Sequence, residues 1–516
     1  MQSNFDCIVV GATPGGISAA LTASRLGHSV ALVEYNPHIG GMASSGLGKS
    51  DIENRPMIQG IFSEFVDRVL NYYQSQYGNY SENVNLCKDG YYYEPSVAEL
   101  IFEQMIREQK HITLLKYHSI ESALLKNNLI NGVIVKNRKN IIAHKLFARV
   151  IIDATYEGDV YALAGAAYRL GRESRDEYGE PHAGIIYYDY IKKKFLPGTT
   201  GEADNRLPAY TYRLCLSTEK TNSVPLLKPP VDYNESLYVG YLEDLKAGRL
   251  SGPKNPKPGR GYYPDHFNTL VRALSITEIP NRKTDVNMNP RPLSFPFAEE
   301  NQNYIKSDST NRERICERIR NITLGLLWFL QQSPQAPENH RAIANRYHLP
   351  LDEFIDNHHF PFQLYIREAR RLVGLYTLTE LDVTRNEKNP NGARFYDAIA
   401  VGEFPVDVHP VRKRQPNDTL LLEGFLGMLD DITVPYQIPF RIMIPASIDG
   451  LIVPVAASTT HVAFSSIRME PTWMALGQAA GVAAHIALKS NVQPRHVNIQ
   501  RVQNILRKQN QVIDPA

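Results

Sequence analysis

Two of the 15 histidines stand where they could move a proton. His461 lies in Thr459-Thr460-His461-Val462, just ahead of a run of small residues, and His409 lies in Asp407-Val408-His409-Pro410. An imidazole can take a hydroxyl or amine proton while a hydride leaves the adjoining carbon. His461 is the first candidate for that base and His409 the second, although Asp-x-His also suits a metal fragment. Arg367, Arg370 and Arg371 would share about one turn if 364–380 is a helix, and their guanidinium forks could grip a carboxylate. Tyr436 and Arg441, on an expected strand, could face the same cavity. Each has a plainer alternative: a hydrogen-bonded structural histidine, or an ion-paired helix face.

The first fifty residues say what such a base would serve. An apolar run at 5–10 is followed by Gly11-Ala12-Thr13-Pro14-Gly15-Gly16, then a small-residue helical stretch and a second apolar run at 29–33 ending in Glu34. Strand, glycine turn, helix, strand and acid in that order make a dinucleotide-binding βαβ unit. Gly11 permits the tight turn and Gly16 a close helix–sheet contact. The helix N-terminus offers free N–H groups and a positive dipole end to a pyrophosphate. Glu34 can accept ribose hydroxyl protons and would repel a 2′-phosphate, and Tyr35 follows it. Thr13 departs from GxGxxG; Pro14 and Gly15 beside it belong to the same loop.

The next segments favour a large flat cofactor. Gly40, Gly41, Met42, Ser45 and Gly46 fall in a loop rich in glycine and hydroxyls, able to approach closely and donate N–H and O–H groups. Residues 111–147 read as a β-meander with strands at 112–115, 119–124, 129–135 and 140–143. A strand at 147–155 ends in Asp153-Ala154-Thr155, with Asp159 shortly after. A strand at 449–455 precedes a helix at 470–484, with Pro471 in its first turn. Its N-terminus, aimed at an isoalloxazine, would stabilise the charge that reduction builds up.

GATPGG (11–16), GGMASSGLGKSDI (40–52), YYYEPSVAELIFEQM (91–105), ARVIIDATYEGD (148–159), GRESRDEYGE (171–180), QLYIREARRLVG (363–374), YDAIAVGEFPVDVHPV (396–411) and VPVAASTTHVAFSSIRMEPTWMALGQAAG (453–481) carry a resemblance that spans nearly the whole chain. It resembles the FAD-dependent oxidoreductases of the glutathione-reductase-like Rossmann superfamily. Within them it is most similar to a bacterial family sometimes labelled xanthan lyase, itself related to the fumarate reductase and succinate dehydrogenase flavoproteins. The resemblance implies bound FAD and hydride or electron transfer. It puts Gly11, Gly15, Gly16, Glu34, Gly41 and Met42 near the adenosine and diphosphate, Asp159 near the ribityl–diphosphate region, and Ser465, Arg468, Glu470 and Gln478 near the flavin ring. The loop at 43–46 lacks the histidine that the succinate dehydrogenase branch uses for covalent flavin.

The expected fold class is α/β. A discontinuous Rossmann-like FAD domain, with parallel sheet and meander, takes 1–170 and 436–490. An α+β substrate domain takes 171–435, and 491–516 is a helix and tail. Ile315, Ile319, Ile322, Leu326 and Phe329 mark a helix over 309–331. Proline-rich stretches at 224–230 and 252–264 (the second with Lys254, Lys257 and Arg260) read as exposed loops. The 516 residues, 43% apolar and 21% charged, suit a globular protein. A net charge of +2 gives no bulk reason to seek nucleic acid. The expected partner is therefore a small-molecule substrate and not nucleic acid, with no membrane span and a homo-oligomer left open. Cys7, Cys87, Cys215 and Cys316 form no CxxC pair, which argues against structural zinc and iron–sulfur clusters and suits a reducing cytoplasm. The expected activity is that of an FAD-dependent dehydrogenase or oxidase, passing hydride from a small polar substrate to flavin N5. A flavin monooxygenase and a flavin-binding electron-carrier subunit are the alternatives, and a non-redox protein on a recycled fold is the third class.

Overall fold

The computed structural model describes residues 2–189, 192–242, 270, 274–288, 295, 297–413 and 423–515. The expected loop at 252–264 lies outside them. The centre of the fold is a five-stranded sheet in the order Leu451–Ile452, Val150–Asp153, Cys7–Val10, Val30–Val33, Ile112–Leu115. All its neighbours are parallel, with Cys7 opposite both Val30 and Val150. Cys7–Val10, Val30–Val33 and Val150–Asp153 are buried throughout, as strands covered on both faces must be. The C-terminal segment joins this sheet through Leu451 and Ile452, opposite Ile151 and Ile152.

The helix Pro14–Arg25 starts where the sequence signals it. Thr13 caps it, its hydroxyl accepting the Gly16 N–H, and Pro14 takes the first turn. The helix Glu470–Ser490 lies against it at glycine distance. A Cβ on Gly477 would stand 1.9 Å from the Gly15 carbonyl oxygen, and one on Gly481 would stand 2.6 Å from that of Ala19. Ser18 also donates to the Met474 carbonyl at 2.7 Å. Small residues on both helices thus hold the two ends of the chain together.

Several expected elements differ. Ile112–Leu115 is an edge of the parallel sheet rather than part of the meander, which consists of Gln2–Asn4, Ala143–Phe147, Leu129–Asn137 and His118–Lys126. The 140–143 strand begins only at Ala143, because Asn137 Oδ1 accepts the N–H groups of Lys139 and Asn140 and turns the chain there. The long helix is present as Ser309–Gln332. The expected helix over 364–380 does not form. Tyr365 bridges to Thr211, and Arg371–Leu372 pairs with Tyr168–Arg169, so long-range partners hold this segment extended. Among the described residues no helix is long and apolar enough to cross a membrane.

Candidate active site

The dinucleotide turn sits at the carboxyl ends of the parallel strands. Gly11 has φ +93°, and a Cβ there would stand 2.7 Å from the Ala154 carbonyl oxygen. A Cβ on Gly16 would stand 1.8 Å from the Gly11 carbonyl oxygen. Thr13 donates to that same Ala154 carbonyl at 2.9 Å, so the residue that breaks the glycine pattern caps the helix and ties the turn to the next strand. Glu34 accepts from Ala12 N–H at 2.7 Å and from Asn36 N–H at 2.8 Å. Burial, with the charge of Glu157 nearby, pushes its carboxyl up to about 7. Tyr35 turns outward, under Arg138 and bonded to Glu313.

The 40–46 loop is strapped to this turn by Gly40 N–H, which donates to the Ala12 carbonyl at 2.7 Å. Gly41 lies so close to Tyr156 that a Cβ would stand 2.3 Å from its hydroxyl. Ser45 accepts from Gln363 N–H, and Gly46 lies against the Arg213 carbonyl. Asp153 is spent on the turn, accepting from Thr155 and from Tyr161 N–H. Asp159 is held in a fork by Arg312, at 2.6 and 2.9 Å, and by Arg370 at 2.8 Å. Burial would raise the Asp159 carboxyl, and the two guanidinium groups outweigh it and hold it low.

Loop, helix and middle segment converge on a small cavity of about 10 Å³ lined by Met42, Leu47, Asp51, Tyr365, Arg468, Met469 and Glu470. Glu470 opens the Glu470–Ser490 helix. Its Oε1 accepts from the Tyr156 hydroxyl at 3.0 Å, while the same hydroxyl accepts from Met42 N–H at 3.1 Å. Oε2 is buried with no hydrogen-bond partner among the described residues. Burial pushes the Glu470 carboxyl up to about 8. Arg468 donates to the Tyr365 hydroxyl at 2.6 Å and to the Asp407 carbonyl at 3.0 Å. Ser465 accepts the Asp407 N–H, and His409 Nε2 lies 3.3 Å from Asp407 Oδ2. Arg367 Cζ lies over the Tyr365 ring, 4.8 Å from its centre. Burial and the charge of Arg367 push His409 down to about 3, so it is neutral at physiological pH.

The structure places other expected residues elsewhere. His461 belongs to a second network: Nδ1 meets Glu368 Oε2 at 2.6 Å, and its N–H donates to Glu173, with Arg371 joining Glu368 and Glu173. The His461–Ile467 helix separates it from Arg468 by roughly 10 Å along the axis, at 1.5 Å per residue. A cavity of about 310 Å³ beside that network is lined by Arg169, Arg172, Glu173, Glu177 and Asp204. Tyr436 bonds Ser466 at 2.7 Å inside the packing, and Arg441 pairs with Asp397 beneath Tyr376 and Tyr396. Gln478 faces away from the small cavity, accepting from Ile61 N–H and donating to Gln509 beside a groove lined by Arg25, Glu64 and Arg68. Sequence reading missed Tyr365, Tyr156 and Glu368, and took Asp407 only as part of a possible metal fragment. Tyr365 and Glu368 flank Arg367 in the same short segment, which was the available signal.

Two curated relatives are tRNA uridine 5-carboxymethylaminomethyl modification enzymes. MnmG 1 of Fusobacterium nucleatum is 20% identical over 484 residues, 85% of this chain and 68% of its own length. MnmG of Clostridium botulinum is 20% identical over 464 residues, 86% of this chain and 68% of its own length. Among solved structures, Thermovibrio ammonificans THI4 is 19% identical over 38% of this chain and 75% of that one, with a TM-score of 0.24, too slight a likeness to build on. The expectation of a small-molecule partner and no nucleic acid is overturned by these relatives, whose names state a tRNA substrate. Bulk charge failed as a guide because it averages over the whole surface. Residues 6–506 match the model described as FAD dependent oxidoreductase, and the chain belongs to that family: it is a flavin-dependent oxidoreductase with FAD as its cofactor.

Proposed function

We propose that the 10 Å³ cavity marks the reaction centre, where a polar group of the substrate meets the flavin ring and Glu470 handles the proton. When bound, FAD supplies a two-electron acceptor at N5. The cradle fits such a group: Gly11 and Gly16 leave no room for side chains beside the phosphate-facing helix end, and Gly15 meets Gly477, two turns into the Glu470–Ser490 helix, so that both helices flank one site. Gly40, Gly41, Met42, Ser45 and Gly46 form its lid, and Glu34, with Asp153, Ala154 and Thr155, shapes its adenosine side.

The observation that carries this reading is Glu470: a buried carboxyl at a helix N-terminus, lining the cavity, with one oxygen unused. A carboxyl pushed up to about 8 is mostly protonated at pH 7, ready to donate, and becomes an acceptor as pH rises. Bound FAD would accept the hydride when a hydroxyl or amine is oxidised, and Glu470 Oε2, in its ionised form, would take the heteroatom's proton. Arg468 and Tyr365 orient the substrate, and neutral His409 holds Asp407. Within this reading 1–170 and 436–490 form the cofactor unit, 171–435 the substrate unit and 491–516 a tail, in a cytoplasmic enzyme. The narrower likeness to proteins labelled xanthan lyase contributes nothing, since no sugar-elimination step is part of the scheme.

The test is anaerobic reduction of the FAD-loaded protein by candidate hydroxy and amino donors, free or carried on tRNA, with and without NADPH. Donor-dependent bleaching of the flavin that speeds up toward pH 8 in wild type, and loses that rise in Glu470→Gln, supports the reading. Bleaching that Glu470→Gln leaves unchanged at every pH refutes it.

A further inference from the structure

We propose that the substrate is anionic and that Arg367 receives its carboxylate or phosphate group. This rests on the redox reading of the same site and adds the class of substrate. Arg367 is 2% exposed, yet its Nε and Nη2 have no hydrogen-bond partner among the described residues; only Nη1 is used, on the Ala209 carbonyl. A buried guanidinium with two nitrogens, and so three N–H groups, left without hydrogen bonds carries a large desolvation cost. A leucine or methionine would fill the same space without it.

Among the described residues no carboxylate pairs directly with Arg367. Arg213 is committed to Asp285 at 2.6 Å and Asp51 at 3.2 Å. Asp407 faces Arg468 at 3.5 Å and His409 at 3.3 Å. Arg468 and Arg213 repel the Arg367 charge, although Tyr365 and Asp407 favour it, and burial is the largest influence holding the guanidinium down at about 9. Nε and Nη2 are the edge of the fork that binds a carboxylate or phosphate through two parallel hydrogen bonds. The Tyr365 ring centre lies 4.8 Å from Arg367 Cζ and 5.8 Å from Arg468 Cζ, and Tyr365 also lines the small cavity. Tyr365 is thus the one side chain shared by the cavity and Arg367, and in the proposal it moves aside so that an anion can reach the unused edge of Arg367.

The FAD-loaded protein is titrated with malonate, inorganic phosphate and unmodified tRNA, following the flavin absorbance. A saturable spectral shift with at least one probe is expected, weakened at least thirtyfold in Arg367→Met and less in Arg367→Lys. Malonate or phosphate acting alone assigns a free anion, and tRNA acting alone assigns an anion carried on nucleic acid; either supports the proposal. The thermal midpoint of Arg367→Met should equal or exceed that of wild type, because the variant sheds an unpaired buried charge. FAD-loaded protein indifferent to all three probes overturns the anion proposal alone. So does an Arg367→Met protein that answers the probes as wild type does, whatever its thermal midpoint. Protein that takes up no FAD overturns the redox reading beneath it.

Discussion

Replacing Glu470 by glutamine should change how stability depends on pH. The folded-state carboxyl sits at about 8 because of burial, against an ordinary 4.5. The folded protein therefore keeps a proton that the unfolded chain gives up, and stability falls as pH rises from about 4.5 to about 8. At 1.36 kcal/mol per pH unit at full slope, the loss from this one group between pH 6 and pH 8 is roughly 2 kcal/mol, and it levels off above pH 8. Glutamine keeps the acceptor that Tyr156 uses and places an amide where Oε2 has no partner. It carries no titrating proton. Urea unfolding of wild type and Glu470→Gln at pH 6, 7 and 8, with FAD saturating throughout, measures the difference. The variant should gain on wild type by roughly 2 kcal/mol across that range. Two curves that stay parallel from pH 6 to pH 8 would show that Glu470 is not held protonated, and the proton-handling role would fall with it.

Other substitutions read other joints. Gly477→Ala puts a methyl 1.9 Å from the Gly15 carbonyl oxygen, so it should cost about 3 kcal/mol or more in thermal unfolding and lower FAD content; unchanged stability and flavin content would contradict the helix contact. Asp159→Asn breaks the Arg312–Arg370 fork at a cost of about 3–5 kcal/mol at pH 7. Because the Asp159 carboxyl is held low, its contribution is present above the ordinary 3.8 and is lost as pH falls through the folded value, so the variant's deficit should shrink in acid unfolding. Tyr436→Phe removes a hydroxyl bonded to Ser466 and should cost about 1 kcal/mol in urea while leaving flavin reduction unaltered; a changed reduction rate would return Tyr436 to the cavity.

The dinucleotide turn was legible because its signals are local. A short apolar run, a glycine at positive φ, a Thr-Pro helix start and an acid after the second strand each follow from neighbouring residues. The pairing of the two chain ends was legible from the small residues on both helices, which admit close contact and little else. Arg367, Arg370 and Arg371 misled because their spacing fits a helix face. Their partners (the Ala209 carbonyl, Asp159, and Glu173 with Glu368) are mostly far away in sequence and draw the segment out straight. The base candidates differ in what announces them. A histidine is a base candidate by type, whereas Glu470 becomes one only through burial and an unused oxygen, which composition cannot report.

The most direct measurement is the position of the isoalloxazine in a crystal structure of the FAD-loaded enzyme. A diphosphate against residues 11–16 and a ring beside Met42, Leu47 and Glu470, with Tyr365 and Arg468 next to it, is the predicted result. A ring seated instead in the cavity beside Arg169 and Asp204, next to the His461–Glu368 pair, would contradict it.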